Sequence, residues 1–551
     1  MKLNKKQIIT LLILCMIMGI YELLFCNYLF ITRESTYAFS FYRMVMYVAV
    51  IILFPKFSKH ILEYKGEIQK AEKYILYVSI LLLLATFFFT FVGKITLLTD
   101  IIIIIAILLI LLLAFSLTGN YIKNFILIAL AMGFILSMIM PINNQLDEKR
   151  HFLSAYNLSY ANINFNKPII NEGVQSIPQR LNFEKFNTYF HKNYEPTFLE
   201  EYVIEDISNI PAAYNPIQYL PSAIGIYIAR LLGGSIADIY YAGRFFNLIG
   251  YIVLVAFTLK VLPYKRKSFY VIFLMPMLLA LASVYSVDNI MVGVISLWIA
   301  YCLKLYEQKE KITGKQLFIL LGIFTLIGTL KSMSYLPIAL FIFIIPIRKI
   351  LKENKKYLVP IILLGIVSVT INIGITLYLQ SDQLSDPRVE NTNAMQQIEY
   401  IKEEPIEYIK ILGKHIKTTL TEFSALSYLN GPMFFGNDFN NIFLILLLFL
   451  FYTGITDDSK NLSKKTKWIA IITFFIVLSI TSTLLYISYT PLQGKTIQGY
   501  QLRYIFPIIS LIVICLSSEK IKNQKSEKKD CLFTTCFMVC FLVFSIYGLL
   551  F

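Results

Sequence analysis

Apolar residues run through this chain in blocks of about twenty, the length a helix needs to cross a bilayer, with short polar connections between them. Reading from the amino end, such blocks fall at 7–31, 38–55, 74–92, 100–117 and 123–141. Others lie at 240–262, 268–284, 287–306, 316–331, 334–347 and 357–380, and a last set at 440–456, 467–488, 502–518 and 531–551. Only helices and closed barrels satisfy their backbone groups in lipid, so the pattern predicts an all-α polytopic membrane protein of about 13–15 spans.

Two longer polar stretches interrupt the blocks. Residues 142–215 hold more acids than bases and end in "PAAYNPIQYLP", whose prolines break helices. Residues 381–438 carry the amphipathic run "IEYIKILGKHIKTTLTEF". The segment "IQYLPSAIGIYIARLLGG" is expected to lie in the outer interface, because a crossing there would place the basic "YKRK" outside. The expected organisation is an N-terminal extension of membrane helices at 1–122 and a core at 123–520 with external loops 142–215 and 381–438. A basic cytoplasmic linker and a last span follow at 521–551.

Composition agrees: 57% of the residues are hydrophobic and 15% charged, far from a soluble balance. The net charge of +16 sits in short loops such as "MKLNKK", "IRKILKENKK" and "EKIKNQKSEKK". Basic loops are what the positive-inside rule keeps in the cytoplasm, so the charge reads as topology and no nucleic-acid partner is expected. The seven cysteines lie in or beside apolar runs, and none falls in an expected external loop, so no disulfide framework is implied. The first block is too long for a signal-peptide core and lacks a small-residue cleavage site, so it is expected to stay as a helix.

Candidate chemistry gathers where "NNQLDEKRHF" follows the fifth block. An odd number of crossings from a cytoplasmic start puts Asp147 and Glu148 outside, at the membrane rim. A carboxylate there can take the proton of an attacking alcohol, or two adjacent ones can hold a hard divalent cation such as Mg or Mn. A solvated helix end is the plain alternative. Arg150 and His151 stand close enough in sequence to pair with the acids. Arg244 in "YAGRFFN", Lys331 in "TLKSMSY" and Arg503 in "YQLRYIF" sit at expected external span ends, where they either bind phosphate or snorkel. Asp288 in "SVYSVDNIM" is the other acid near an expected external turn; Tyr285, Ser286 and Asn289 beside it can hydrogen-bond sugar hydroxyls, and a helix cap by Ser286 or Asp288 is the plain alternative. No nucleophile elbow, P-loop or metal-ligand spacing appears, which leaves hydrolase, nucleotide-driven pump and metalloprotease readings without support.

Five stretches, taken in order, carry a family resemblance: "LDEKRHFLSAYNL", "YNPIQYLPSAIGIYIARLLGGSIADIYYAGRFFNLIGY", "MPMLLALASVYSVDNIMVG", "LKSMSYLPIALFIFIIP" and "RYIFPIISLI". Over roughly residues 125–520 the chain resembles a bacterial family of multi-pass membrane proteins defined by a domain of unknown function. That family is similar to the GT-C superfamily of integral-membrane glycosyltransferases. Leu146 and Leu502 stand where the family favours proline and glycine. The resemblance implies a GT-C-like bundle with a large first extracytoplasmic loop and interfacial helices, in the bacterial cell membrane. It implies a polyprenyl-phosphate-linked sugar donor, a glycopolymer or lipid-linked glycan acceptor, and an active site on the extracytoplasmic face. Asp147 and Glu148 would then be catalytic, with Arg503, Arg244 and Lys331 on the donor phosphate and Arg150, His151, Asp288 and Tyr504 in support. A flippase for lipid-linked sugars and a polysaccharide polymerase are the alternatives.

Overall fold

The computed structural model describes residues 118–140, 142–143, 147–164, 168–169, 174, 211–212, 214–234, 236–380, 389–421, 439–457, 462–517 and 527–550. The spans expected at 7–31, 38–55, 74–92 and 100–117 lie outside these residues, as do 175–210 and 422–438 within the two external loops. The chain separates into two compact units, Leu117–Leu542 and a second formed by Met1–Ser116 with Val543–Phe551. All the described helices begin in the first.

α1 (Tyr121–Ile139) starts where the Asn120 side chain accepts the Ile122 and Lys123 N–H groups, a standard cap. α2 (Glu148–Ser159) carries the acidic pair at its start. A proline-led 3-10 turn, Pro216–Tyr219, runs into α3 (Leu220–Leu231), and α4 (Ile236–Val261) follows. α3 buries Ala223, Ile226 and Ala229 and exposes Leu220, Ile224, Tyr227 and Leu231, so it is two-faced. At 12 residues it reaches only about 18 Å, short of the ~30 Å hydrocarbon core. It is thus too short to cross, and the face it leaves uncovered is apolar rather than polar.

The block at 268–284 is not the single span its hydropathy suggests. It forms α5 (Arg266–Phe273) and α6 (Pro276–Ala282), parted at Leu274 and Met275. Pro276 has no N–H to donate and forces the residue before it out of the helix: Met275 sits extended at φ −57°, ψ 129°. The block at 334–347 is likewise not an α-helical span; from Leu336 to Ile344 it is 3-10 helix, with a proline at its start.

The remaining helices are α7 (Asp288–Glu307), α8 (Gly314–Thr329), α9 (Ile347–Gln380), α10 (Ala394–Glu403), α11 (Pro405–Thr421), α12 (Phe439–Thr456), α13 (Lys464–Tyr489), α14 (Phe506–Val513) and α15 (Glu527–Leu550). Among the described residues, α4, α7, α9 and α13 contain stretches long and apolar enough to cross a membrane. The protein is an all-α polytopic membrane protein.

α7 is the most enclosed of the four, packed against α4, α6, α8 and α14. Two glycines permit this. A Cβ on Gly293 would stand 2.8 Å from that of Leu254, and one on Gly243 would collide with the Tyr285 hydroxyl. That hydroxyl donates to the Tyr240 carbonyl at 2.7 Å, fixing the turn that delivers Asp288 to the head of α7. A separate polar knot ties α5 to α12 and α15. In it Lys267 pairs with Asp530 at 2.9 Å, and Asp457 accepts from the Ser268 N–H and hydroxyl at 3.0 and 2.9 Å.

Candidate functional site

Asp147 and Glu148 are neighbours in the chain and part company in space. Asp147 adopts a left-handed backbone, φ 64°, ψ 9°, which aspartate tolerates better than most residues. Its carboxylate does not cap α2; it faces the guanidinium of Arg503 at 3.6 Å. Glu148 points the other way, into the protein.

There it meets Arg244. Glu148 Oε1 accepts from Arg244 Nε at 2.9 Å and lies 2.7 Å from its terminal nitrogen, and neither side chain has any exposure. A further guanidinium nitrogen donates to the carbonyls of Ser137 and Met140 at 3.0 and 2.8 Å. The pair therefore binds the end of α1, the start of α2 and the middle of α4 into one joint. The phosphate-binding role expected of Arg244 gives way to this: its donors are spent on the protein and no surface of it is open. Glu148, enclosed with it, is likewise removed from contact with a substrate.

A different set of charges converges beside Asp147. Arg503, on the 3-10 turn Leu502–Tyr504 that precedes α14, also approaches Asp288 at 3.4 Å. Asp288 in turn holds the Lys331 ammonium at 2.8 Å. That ammonium stands 4.0 Å from the centroid of the Tyr504 ring, and Arg503 stands 5.4 Å from it, both within cation–π reach. Four residues that stand apart in the sequence are thus one cluster, with Tyr504 beneath it. Asp288 is 1% exposed and anchors two cations, and Tyr285, Ser286 and Asn289 beside it, expected from the sequence as sugar contacts, are buried with it.

Strain marks the same place. Lys331 and Met333 join Asp147 with positive φ, at 38° and 65°. Such conformations cost of order 1–3 kcal/mol and persist where the surroundings impose them. Here the Lys331 N–H donates to Gln218 Oε1 at 3.2 Å, which pins the turn to the 3-10 element before α3.

Burial lowers the Lys331 pKa more than any other single influence, but Asp288 together with Tyr504 and Tyr214 outweighs it and holds the ammonium above its ordinary value. His151 goes the other way. Burial depresses it to about 4, against the pull of Asp147 and Asp288, so the ring is neutral near pH 7. Its Nδ1 lies 2.9 Å from the Tyr219 hydroxyl, and its ring stacks on Tyr214 at 5.9 Å. Arg150 takes part through its backbone, its carbonyl accepting from the Ala212 N–H at 3.2 Å.

Arg503 is the least satisfied member. Its Nε is buried without a hydrogen-bond partner, and its ion pairs at 3.4 and 3.6 Å are looser than the ~2.7–2.9 Å of charge-assisted bonds. A guanidinium so placed has donors left for a ligand. The pairing of Asp147 with Glu148 on one divalent cation does not fit, since each carboxylate is claimed by a different arginine. Among the described residues no three His, Cys, Asp or Glu side chains converge.

Sequence reasoning passes over Gln218. Its position inside the proline-flanked "NPIQYLP" is the one signal that could find it, because such turns present side chains rather than continue a helix. No curated protein and no solved structure matches this chain. A family model described as predicted membrane protein (DUF2142) matches residues 130–512, a stretch that takes in Asp147, Asp288, Lys331 and Arg503. The chain belongs to the DUF2142 family of predicted membrane proteins.

Proposed function

We propose that this membrane protein transfers a sugar from a polyprenyl-phosphate-linked donor to a cell-surface glycopolymer or lipid-linked glycan on the outer membrane face. One observation carries the reading: the buried Arg503 with an unfilled Nε, loosely held by Asp147, whose side chain at 22% is the most exposed of the four charged groups. Arginine forks two hydrogen bonds onto phosphate oxygens, and a phosphate arriving here takes the place of the Asp147 carboxylate. Displaced, Asp147 becomes a base at the rim.

The acceptor hydroxyl oxygen then bonds to C1 of the sugar as the bond from C1 to the phosphate oxygen breaks. The hydroxyl proton passes to Asp147, and the polyprenyl phosphate leaves with the bonding electrons. Arg503 and Lys331 face the charge that grows on the departing phosphate, and Asp288 keeps both cations in place. Asp147 loses its own negative charge as it takes the proton, so the total charge of the site does not change during the step. Tyr214 and Tyr504 give flat faces on which a sugar ring can rest.

The sugar composition of envelope polymers tests this whichever sugar the donor carries. Cells deprived of the protein lose one component, the wild-type gene restores it, and Asp147→Asn at equal protein level does not. Restoration by that variant would remove Asp147 as the base. Purified protein that moves the carrier lipid across a vesicle membrane with its sugar intact would assign translocation instead.

A further inference from the structure

Three of the four clustered charges are shut in. Asp288 is 1% exposed, Arg503 9% and Lys331 12%, and together they carry one net positive charge. Asp147 sits at the rim and supplies the one negative charge that balances them. The site thus holds its own stand-in: the group now seated against Arg503 is a monoanion.

We infer that Asp288 sets the charge of the ligand, restricting it to a singly charged phosphodiester and rejecting a diphosphate. This rests on the reading of the cluster as a phosphate site and adds a determinant of which phosphate it takes. Without Asp288, two cations would face the ligand and a diphosphate would be the better match. With it, one of the two positive charges is cancelled by a carboxylate 2.8 Å from Lys331 and 3.4 Å from Arg503. A second negative charge on the ligand then enters a low-dielectric site uncompensated, where desolvation is costly and little screening reaches it. Discrimination of this kind works by an unpaired charge against the wrong partner rather than by new contacts to the right one. Asp147 plays a different part. It competes with any anion for Arg503, whatever that anion's charge.

The experiment uses the full-length protein in detergent with two soluble probes, citronellyl methyl phosphate and citronellyl diphosphate, read by the shift in thermal unfolding with probe concentration. The wild type is expected to bind the diester at least about tenfold more tightly. Asp147→Asn tightens both probes by a similar factor and leaves their ratio unchanged. Asp288→Asn inverts the ratio. A wild type that prefers the diphosphate, or a ratio that moves with Asp147→Asn, overturns the assignment to Asp288. If Asp288→Asn does not fold, those first two measurements still decide. Binding of neither probe would instead overturn the phosphate site itself, a failure of the proposed function and not of this inference alone.

Discussion

Two ion-paired regions grow from one dipeptide and are built to opposite standards. Around Glu148 and Arg244 the guanidinium's contacts are short, 2.7 to 3.0 Å, two of them to backbone carbonyls, and nothing is exposed, although Glu148 Oε2 is buried without a hydrogen-bond partner. Around Asp147 and Arg503 the contacts stretch to 3.4 and 3.6 Å, a buried donor is unmatched, and the outer carboxylate reaches solvent. In the first arrangement the protein engages every nitrogen of the guanidinium and closes it off from solvent. The second is held loosely, at distances on which a competing anion can improve. Residue type does not separate a structural ion pair from a binding site, since both use an acid and an arginine; what separates them here is how fully the guanidinium is engaged and whether its partner reaches the rim.

The comparison breaks most visibly from the sealed side. Removing one partner of a buried pair strands the other charge, at a cost of about 3–5 kcal/mol. Glu148→Ala leaves Arg244 with its two carbonyls and no counter-charge, so it is expected to lower the unfolding temperature sharply or prevent accumulation. Thermal unfolding in detergent measures it. Asp147→Ala, one residue away, is expected to leave that temperature nearly unchanged, because Asp147 is at the rim and Arg503 keeps Asp288. Equal losses from the two substitutions would erase the distinction.

The separate charges are legible in the sequence and their grouping is not. Asp147, Asp288, Lys331 and Arg503 each stand out as ionisable residues at the edge of an apolar block, because charge in such a setting is rare enough to notice. That they meet depends on tertiary packing that no local pattern encodes. Which of two adjacent acids faces outward depends on a single backbone angle, the positive φ of Asp147, and Glu148 is buried only because α4 brings Arg244 to it. The span assignments show the same limit. Hydropathy carries 268–284 through Pro276 as though the chain were continuous, although the proline that divides α5 from α6 is plain in the sequence.

His151 sharpens the comparison by titration, since it lies on α2 after Glu148 yet faces the cluster of Asp147. The unfolded chain takes up its proton near pH 6.5, whereas the folded site, chiefly through burial, resists until about 4. Stability from this group is therefore complete above about pH 6.5 and is lost as pH falls from there toward 4, by about 3 kcal/mol at most. Arg503 and Lys331 add to the resistance, and Asp147 and Asp288 oppose it. His415, also pushed down to about 4 by burial, acts in the same window, so the informative measurement is a difference. Unfolding temperature followed from pH 7 to pH 4 should fall less steeply in His151→Gln than in the wild type. Identical slopes would mean that the ring is charged or solvated in the folded protein.

The finest test exchanges one cation for another at the open site. Arg503→Lys keeps the positive charge opposite Asp147 and Asp288 but replaces a planar fork with a single point donor. If the residue served only to neutralise two carboxylates, lysine would do, because their pairs with Arg503 are already long and tolerant of geometry. If it holds a phosphate through two parallel donors, including the Nε that the protein leaves unmatched, lysine cannot replace it. Transfer should then fall by about 10²-fold, in the range seen when one donor to a developing charge is removed, with the unfolding temperature nearly unchanged. The same exchange at Arg244 would show the reverse, a loss of stability, since there the fork serves Glu148 and two carbonyls together. Arginine's shape thus matters in both regions for different reasons: inside, because the protein uses all of it, and at the rim, because the protein leaves part of it unused.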